Sequence, residues 1–169
     1  MSHPQVAVVG PGSAGEREEQ LAREVGRLLA QCGVVVVTGG LGGVMEAACE
    51  GASSVGGISV GLLPGGDRAA ANRYVSVALA TGLGEGRNLL VVRTADVVIA
   101  IGRSAGTLSE IAFAARLGKP VVLLDSYARP EDLVPEAVIA ATPKDAVDLA
   151  LGFLGDRPAP APAADPTRR

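Results

Sequence analysis

The chain has 169 residues, a formal net charge of −3 and 48% hydrophobic residues, but only 2% aromatics and no Trp. That is enough chain for one domain with a buried core, and its small aliphatic side chains suit an α/β protein. The mild acidity gives no electrostatic reason to expect nucleic acid or an anionic membrane as partner. A single histidine, His3, and two cysteines without CxxC spacing argue against a His-based triad or a metal site.

Apolar runs alternate with helical patterns from the start of the chain. Gln5 to Val9 reads as a buried strand and runs into the loop Gly10-Pro11-Gly12-Ser13-Ala14-Gly15. Glu16 to Cys32 has helical spacing, with Leu21, Val25, Leu28 and Leu29 on one face. Gly33 is a C-cap candidate, and the unbroken run Val34 to Val37 is a second strand. Thr38-Gly39-Gly40-Leu41-Gly42-Gly43 then leads into a helix from Val44 to about Val55, which puts both Cys32 and Cys49 in helices as buried thiols.

Ile58 to Leu62 is a third strand, followed by a loop with the turn signal Pro64-Gly65-Gly66-Asp67. Asn72 and Arg73 lie on this flap, within reach of the other loops, before a short strand near Tyr74 to Ala78. A helix from Gly84 to Thr94 and a strand from Val97 to Ile101 come next. The third glycine-bearing loop, Gly102-Arg103-Ser104-Ala105-Gly106-Thr107, opens a helix that carries Glu110 and ends near Leu117. The face formed by Leu89, Val92, Ile111, Phe113 and Leu117 is core or subunit interface. Val121 to Leu124, Val138 to Ala140 and the helix Pro143 to Leu154 complete the order.

Strands that are apolar throughout and spaced by helices call for a parallel sheet covered on both faces. The expectation is a Rossmann-like α/β three-layer sandwich with a mostly parallel sheet, a single domain over residues 1–155. Residues 156–169, rich in Pro and Ala, are expected to be a disordered tail. No signal peptide is evident, and no apolar run approaches the roughly 18 residues that span a bilayer, so a cytoplasmic protein is expected.

In open parallel sheets, ligands bind beyond the carboxyl ends of the strands, where all three glycine loops fall. Free N–H groups and the positive helix end favour an anion there. The candidate binding residues are Gly10, Gly12, Ser13, Gly39, Gly40, Gly42, Gly43, Gly102, Arg103, Ser104, Gly106 and Thr107. Any one loop can equally be a tight turn; three at one sheet edge favour a nucleotide or similar phosphorylated ligand. Glu110 can be a ligand-site acid or merely a favourable first-turn charge. Asp125, at the end of its strand, reads first as a turn residue, and Glu46 as structural.

Gly39-Gly40-Leu41-Gly42-Gly43-Val44-Met45 resembles the GGGxxGLMG motif of the Lonely Guy (LOG) proteins, Rossmann-fold proteins often mislabelled lysine decarboxylases. Gly106-Thr107-Leu108-Ser109-Glu110 is similar to the second half of their PGGxGTxxE motif, and Arg87 stands where their MHxRK arginine would. The resemblance implies a nucleoside 5′-monophosphate phosphoribohydrolase with Glu110 and Arg87 as catalytic residues, Glu110 stabilising positive charge on the ribose. Pro-Gly-Gly is replaced here by Gly102-Arg103-Ser104, and the methionine, histidine and lysine of MHxRK by Gly84, Glu85 and Asn88. These departures make the chain more similar to a short LOG-like subgroup that includes the molybdenum cofactor carrier proteins, which bind a pterin phosphate without chemistry. Two functions stay open: a phosphoribohydrolase, or a nucleotide or pterin carrier. Both imply a homodimer or higher homo-oligomer, no required cofactor beyond the bound small phosphorylated ligand, and no metal site. A decarboxylase is weakest, because the only lysines are Lys119 and Lys144.

Overall fold

The computed structural model describes residues 3–127 and 136–155. The tail expected over 156–169 lies outside the described residues. The elements run β1 (Gln5–Val9), α1 (Glu16–Gln31), β2 (Val35–Thr38), α2 (Val44–Ser53), β3 (Ser59–Leu63), β4 (Val77–Ala80), α3 (Arg87–Thr94), β5 (Val97–Ile101), α4 (Ala105–Arg116), β6 (Val121–Leu124), β7 (Val138–Ala140) and α5 (Pro143–Gly155). Short 3-10 turns, Arg68–Ala70 and Gly84–Gly86, lie on either side of β4.

The strands form one seven-stranded sheet in the order β4-β3-β2-β1-β5-β6-β7, and every pairing is parallel. The sheet is therefore more uniform than the mostly parallel one expected. Because central strands are apolar at nearly every position, they must be covered twice. On one face α1, α2 and α5 pack over Val6, Val8, Val36, Ile99 and Ile101. On the other, α3 and α4 pack over Ala7, Val9, Val37, Val98 and Ala100. The chain is thus a single Rossmann-like three-layer α/β domain.

Strand order reverses at β1: β2, β3 and β4 lie to one side, β5, β6 and β7 to the other. The loops leaving β1 and β5 therefore part company at a topological switch point, where open α/β sheets form their ligand crevice.

Three local expectations shift. The strand expected over Tyr74 to Ala78 forms at Val77–Ala80, because residues 72–76 are tied elsewhere: Ser76 Oγ accepts from Ser59 N (3.0 Å), and ladder pairing starts at Val60 with Val77. The helix expected from Gly84 begins with a 3-10 turn, and α-helix proper starts at Arg87. Cys32 is exposed at the C-cap of α1 rather than buried, while Cys49 is buried and burial pushes its thiol pKa up. Of the expected apolar face, Val92 and Ile111 are buried in the core, while Phe113 and Leu117 pack at its edge.

Candidate functional site

The loop after β1 is shaped by close approach to its neighbours. A Cβ on Gly10 would lie 2.5 Å from the Ile101 carbonyl oxygen and 2.6 Å from Val44 Cγ1, so β1 can pass between β5 and α2 only with glycine there. Gly12 and Ser13 are exposed. At the helix mouth, Gly15 N donates to the Glu18 carboxylate (2.9 Å). A Cβ on Gly102 would lie 2.5 Å from that same carboxylate. The chain's own anion thus sits at the start of α1, where an external phosphate was expected.

The loop after β2 differs. Thr38 Oγ1 accepts from Gly40 N (3.0 Å), and Gly40 and Gly43 have φ of +74° and +61°. Val44 N donates to Pro11 O (3.1 Å), which joins this loop to the preceding one. From outside, Asn72 grips it: Asn72 N donates to Gly40 O and Asn72 Nδ2 to Leu41 O, each at 2.9 Å. Asn72 Oδ1 in turn accepts from Tyr74 N (3.1 Å). Among the described residues, the amides of Leu41, Gly42 and Gly43 donate to nothing. They leave open N–H groups at the mouth of α2, whose first turn also carries Glu46, its carboxylate 3.9 Å from where a Gly42 Cβ would stand.

The loop after β5 is held by the segment after β6. Ser126 Oγ donates to Gly102 O (2.7 Å) and Tyr127 Oη to Ser104 O (3.0 Å). Arg103 is exposed; its Nε donates to Ser126 O (3.0 Å), and its guanidinium lies 5.9 Å from the Tyr127 ring centroid. Ser104 caps α4, accepting from Thr107 N (3.1 Å) and meeting Thr107 Oγ1 at 2.8 Å. Thr107 is only 1% exposed, so its hydroxyl serves the cap rather than facing a ligand. The first turn of α4 carries no acid, and the amides of Ala105 and Gly106 are open. A Cβ on exposed Gly106 would meet nothing closer than Ser104 Oγ at 3.7 Å.

Behind the loops lies a buried pair of ionisable side chains. Arg87, at the start of α3, is 8% exposed, and Glu110, on α4, 7%. Arg87 Nη1 donates to Gly39 O and to Leu62 O (2.7 Å), tying together the ends of β2 and β3. Its Nε is buried without a partner among the described residues. A Cβ on Gly39 would lie 1.9 Å from Arg87 Nη1. Burial pushes the Glu110 carboxyl up to about 8, against the pull of Arg87, which favours its protonated form. Burial also lowers the Arg87 pKa, partly offset by Glu110. Asn88 Nδ2 donates to Ser109 Oγ (3.1 Å), joining α3 to α4 beside the pair.

The predicted residues therefore separate into groups. Gly10 meets β5, Gly102 meets the acid at the head of α1, and Gly39 meets Arg87, which is coupled to Glu110. Ser13 and Arg103 stand on the surface, Arg103 turned toward Ser126 and Tyr127. Sequence reasoning missed Glu18, Ser126 and Tyr127, and underrated Asn72, whose bond to Tyr74 N is an Asx-turn signature readable in principle. Asp125 has φ +50° and pairs with Arg17 (2.8 Å), as its turn reading requires. Lys119 donates to the carbonyls of Arg93 and Ala95 at the C-terminal end of α3, and Lys144 pairs with Asp148 on α5.

The likenesses to known proteins agree with this arrangement. An uncharacterized protein of Archaeoglobus fulgidus is 37% identical over 147 residues, 87% of this chain and 94% of its own. The molybdenum cofactor binding protein of Rippkaea orientalis superposes with a TM-score of 0.87 at 36% identity, covering 91% of this chain and 99% of that one. The molybdenum cofactor carrier protein of Chlamydomonas reinhardtii gives 0.84 at 31% identity, with the same coverage. The resemblance to the short LOG-like subgroup of cofactor carriers thus holds along nearly the whole fold. The model of the SLOG cluster4 family matches residues 3–148, and the chain belongs to that family.

Proposed function

We propose that this protein binds and carries a small phosphorylated heterocycle, a pterin of the molybdenum cofactor type, at the carboxyl edge of its sheet and without turnover. One observation carries the reading. The amides of Leu41, Gly42, Gly43, Ala105 and Gly106 are open, whereas Arg87 and Glu110 are buried and coupled to each other, with Arg87 spent on the carbonyls of Gly39 and Leu62. In this reading the open amides and the Arg103 guanidinium take the phosphate oxygens. Gly12 and Gly106 leave room for the ligand, with Ser13 at its margin. Gly10, Gly39, Gly40 and Gly102 let the loops close on one another, and Ser104 and Thr107 hold the α4 mouth in shape. The metal of such a cofactor would travel as part of the cargo. The likeness to the cofactor proteins of Rippkaea orientalis and Chlamydomonas reinhardtii supports the choice of a pterin.

The hydrolase reading has one observation in its favour: Glu110 and Arg87 arrive from separate helices and interact. It asks Glu110 to be an anion beside a developing ribosyl cation. A carboxyl pushed up to about 8 is poorly prepared for that at neutral pH. In the carrier reading the pair instead braces β2, β3, α3 and α4 beneath the ligand. Exposed Val77, Leu79 and Leu83 give a second copy an apolar face to cover, and a homodimer in the cytoplasm completes the proposal.

The test is incubation of the purified protein with AMP and the other nucleoside monophosphates, with chromatography for free base. Calorimetry with a pterin monophosphate runs in parallel. Binding without base release is expected. Base release that Glu110→Gln abolishes overturns the carrier reading in favour of the hydrolase.

A further inference from the structure

Both loops with open amides are gripped from behind in the same way. In the loop after β2, the carbonyls of Gly40 and Leu41 accept from Asn72 N and Nδ2. In the loop after β5, the carbonyl of Gly102 accepts from Ser126 Oγ, and that of Ser104 accepts from both Tyr127 Oη and Leu108 N of α4. The described chain has no cis peptide. In a trans peptide, the carbonyl and the following N–H point in opposite directions. Holding the carbonyls of Gly40, Leu41 and Gly102 therefore turns the N–H groups of Leu41, Gly42 and Arg103 away from their clamps, while Tyr127 adds a second hold on the Ser104–Ala105 peptide plane that α4 already fixes through Leu108 N. None of these N–H groups donates to a described residue.

The clamps come from corresponding places in the fold. Asn72 lies on the excursion between β3 and β4, and Ser126 and Tyr127 follow β6 directly. Each segment leaves a strand flanking the loop-bearing half-sheet and folds back over a neighbouring loop.

We propose that Asn72 and Tyr127 are positioning residues of the ligand site. They touch no ligand themselves, but hold the peptide planes whose amides receive an anionic phosphate. This inference rests on the carrier reading above, and its test separates the two. The probes are guanosine 5′-monophosphate, which shares the 2-aminopyrimidin-4-one ring of a pterin, and guanosine, which lacks the phosphate.

In the wild type, the monophosphate is expected to bind more tightly than guanosine and to move the amide resonances of Leu41, Gly42, Arg103 and Ala105. Asn72→Ala and Tyr127→Phe should each weaken monophosphate binding about three- to tenfold, the scale of one lost hydrogen bond, and leave guanosine binding unchanged. Asn72→Ala should quiet the response of Leu41 and Gly42, and Tyr127→Phe that of Ala105. If Asn72→Ala fails to fold, Tyr127→Phe, which deletes one hydroxyl and keeps the ring under Arg103, carries the test. Variants that keep wild-type affinity and amide response, or that lose monophosphate and guanosine equally, overturn the positioning role alone. A wild type whose loop amides ignore both probes overturns the carrier reading and this inference together.

Discussion

The loops after β1 and β2 both lead from a buried parallel strand through glycines into a helix, yet only the second is gripped from outside by a distant side chain, Asn72. After β1, Glu18 reaches back to Gly15 N and occupies the head of α1. After β2, Leu41, Gly42 and Gly43 keep their amides open while Asn72 holds the carbonyls behind them. Glycine content does not distinguish the two, because much of it answers to packing: Gly10 is required by Ile101 and Val44, Gly39 by Arg87. What decides whether a helix mouth can take an anion is where the chain puts its own carboxylates and carbonyl partners.

The sharpest way to break that comparison is to put a methyl group on each kind of glycine. Gly39→Ala drives a Cβ into the buried guanidinium of Arg87 and disrupts its bond to Gly39 O. Overpacking together with the loss of a charged buried hydrogen bond should cost about 3 kcal/mol or more in urea denaturation. Gly12→Ala, whose nearest neighbour would be Met45 Cε at 3.6 Å, should stay within about 0.5 kcal/mol of wild type. Equal costs at the two positions would remove the distinction between packing glycines and open ones.

The layered fold was legible because strand apolarity and helix periodicity are local properties. Gln5 to Val9 and Val97 to Ile101 fall where the pattern put them. The β4 boundary was not, because Ser59, Ser76 and Asn72 fix the excursion through contacts far apart in sequence. At the site, the glycine loops and the Arg87–Glu110 pair were readable from motif and spacing. Their roles were not: the Thr107 hydroxyl is buried against Ser104, and Arg87 points into the backbone of Gly39 and Leu62. Side-chain direction depends on which strands are neighbours, and that order is set by topology.

The buried pair yields a second, smaller effect with a definite sign. Glu110 has its folded-state pKa pushed up to about 8, above the unfolded value near 4.5. Between those values the folded state holds the proton more tightly, so raising the pH destabilises it, by up to about 1.4 kcal/mol per pH unit. Glu110→Gln mimics the protonated form and should flatten the unfolding free energy between pH 5 and pH 8 relative to wild type. Identical slopes in the two proteins would mean that Glu110 is ionised in the fold, and would return it to candidacy as the anion a hydrolase needs.

The smallest expected effect tests the open side of the comparison directly. Gly106 is the second residue of α4, exposed, without a positive φ, and with open space where a side chain would go. Glycine in a helix costs up to about 1 kcal/mol relative to alanine. Alanine also narrows the unfolded ensemble. Gly106→Ala should therefore stabilise the free protein by about 0.5 kcal/mol, read as a rise in thermal midpoint. The same methyl group would stand over the amides of Ala105 and residue 106, where the phosphate is proposed to sit, so guanosine 5′-monophosphate binding should weaken. Stability gained as affinity falls would mark a glycine kept open for a ligand, and stability gained with affinity untouched would move the phosphate away from α4.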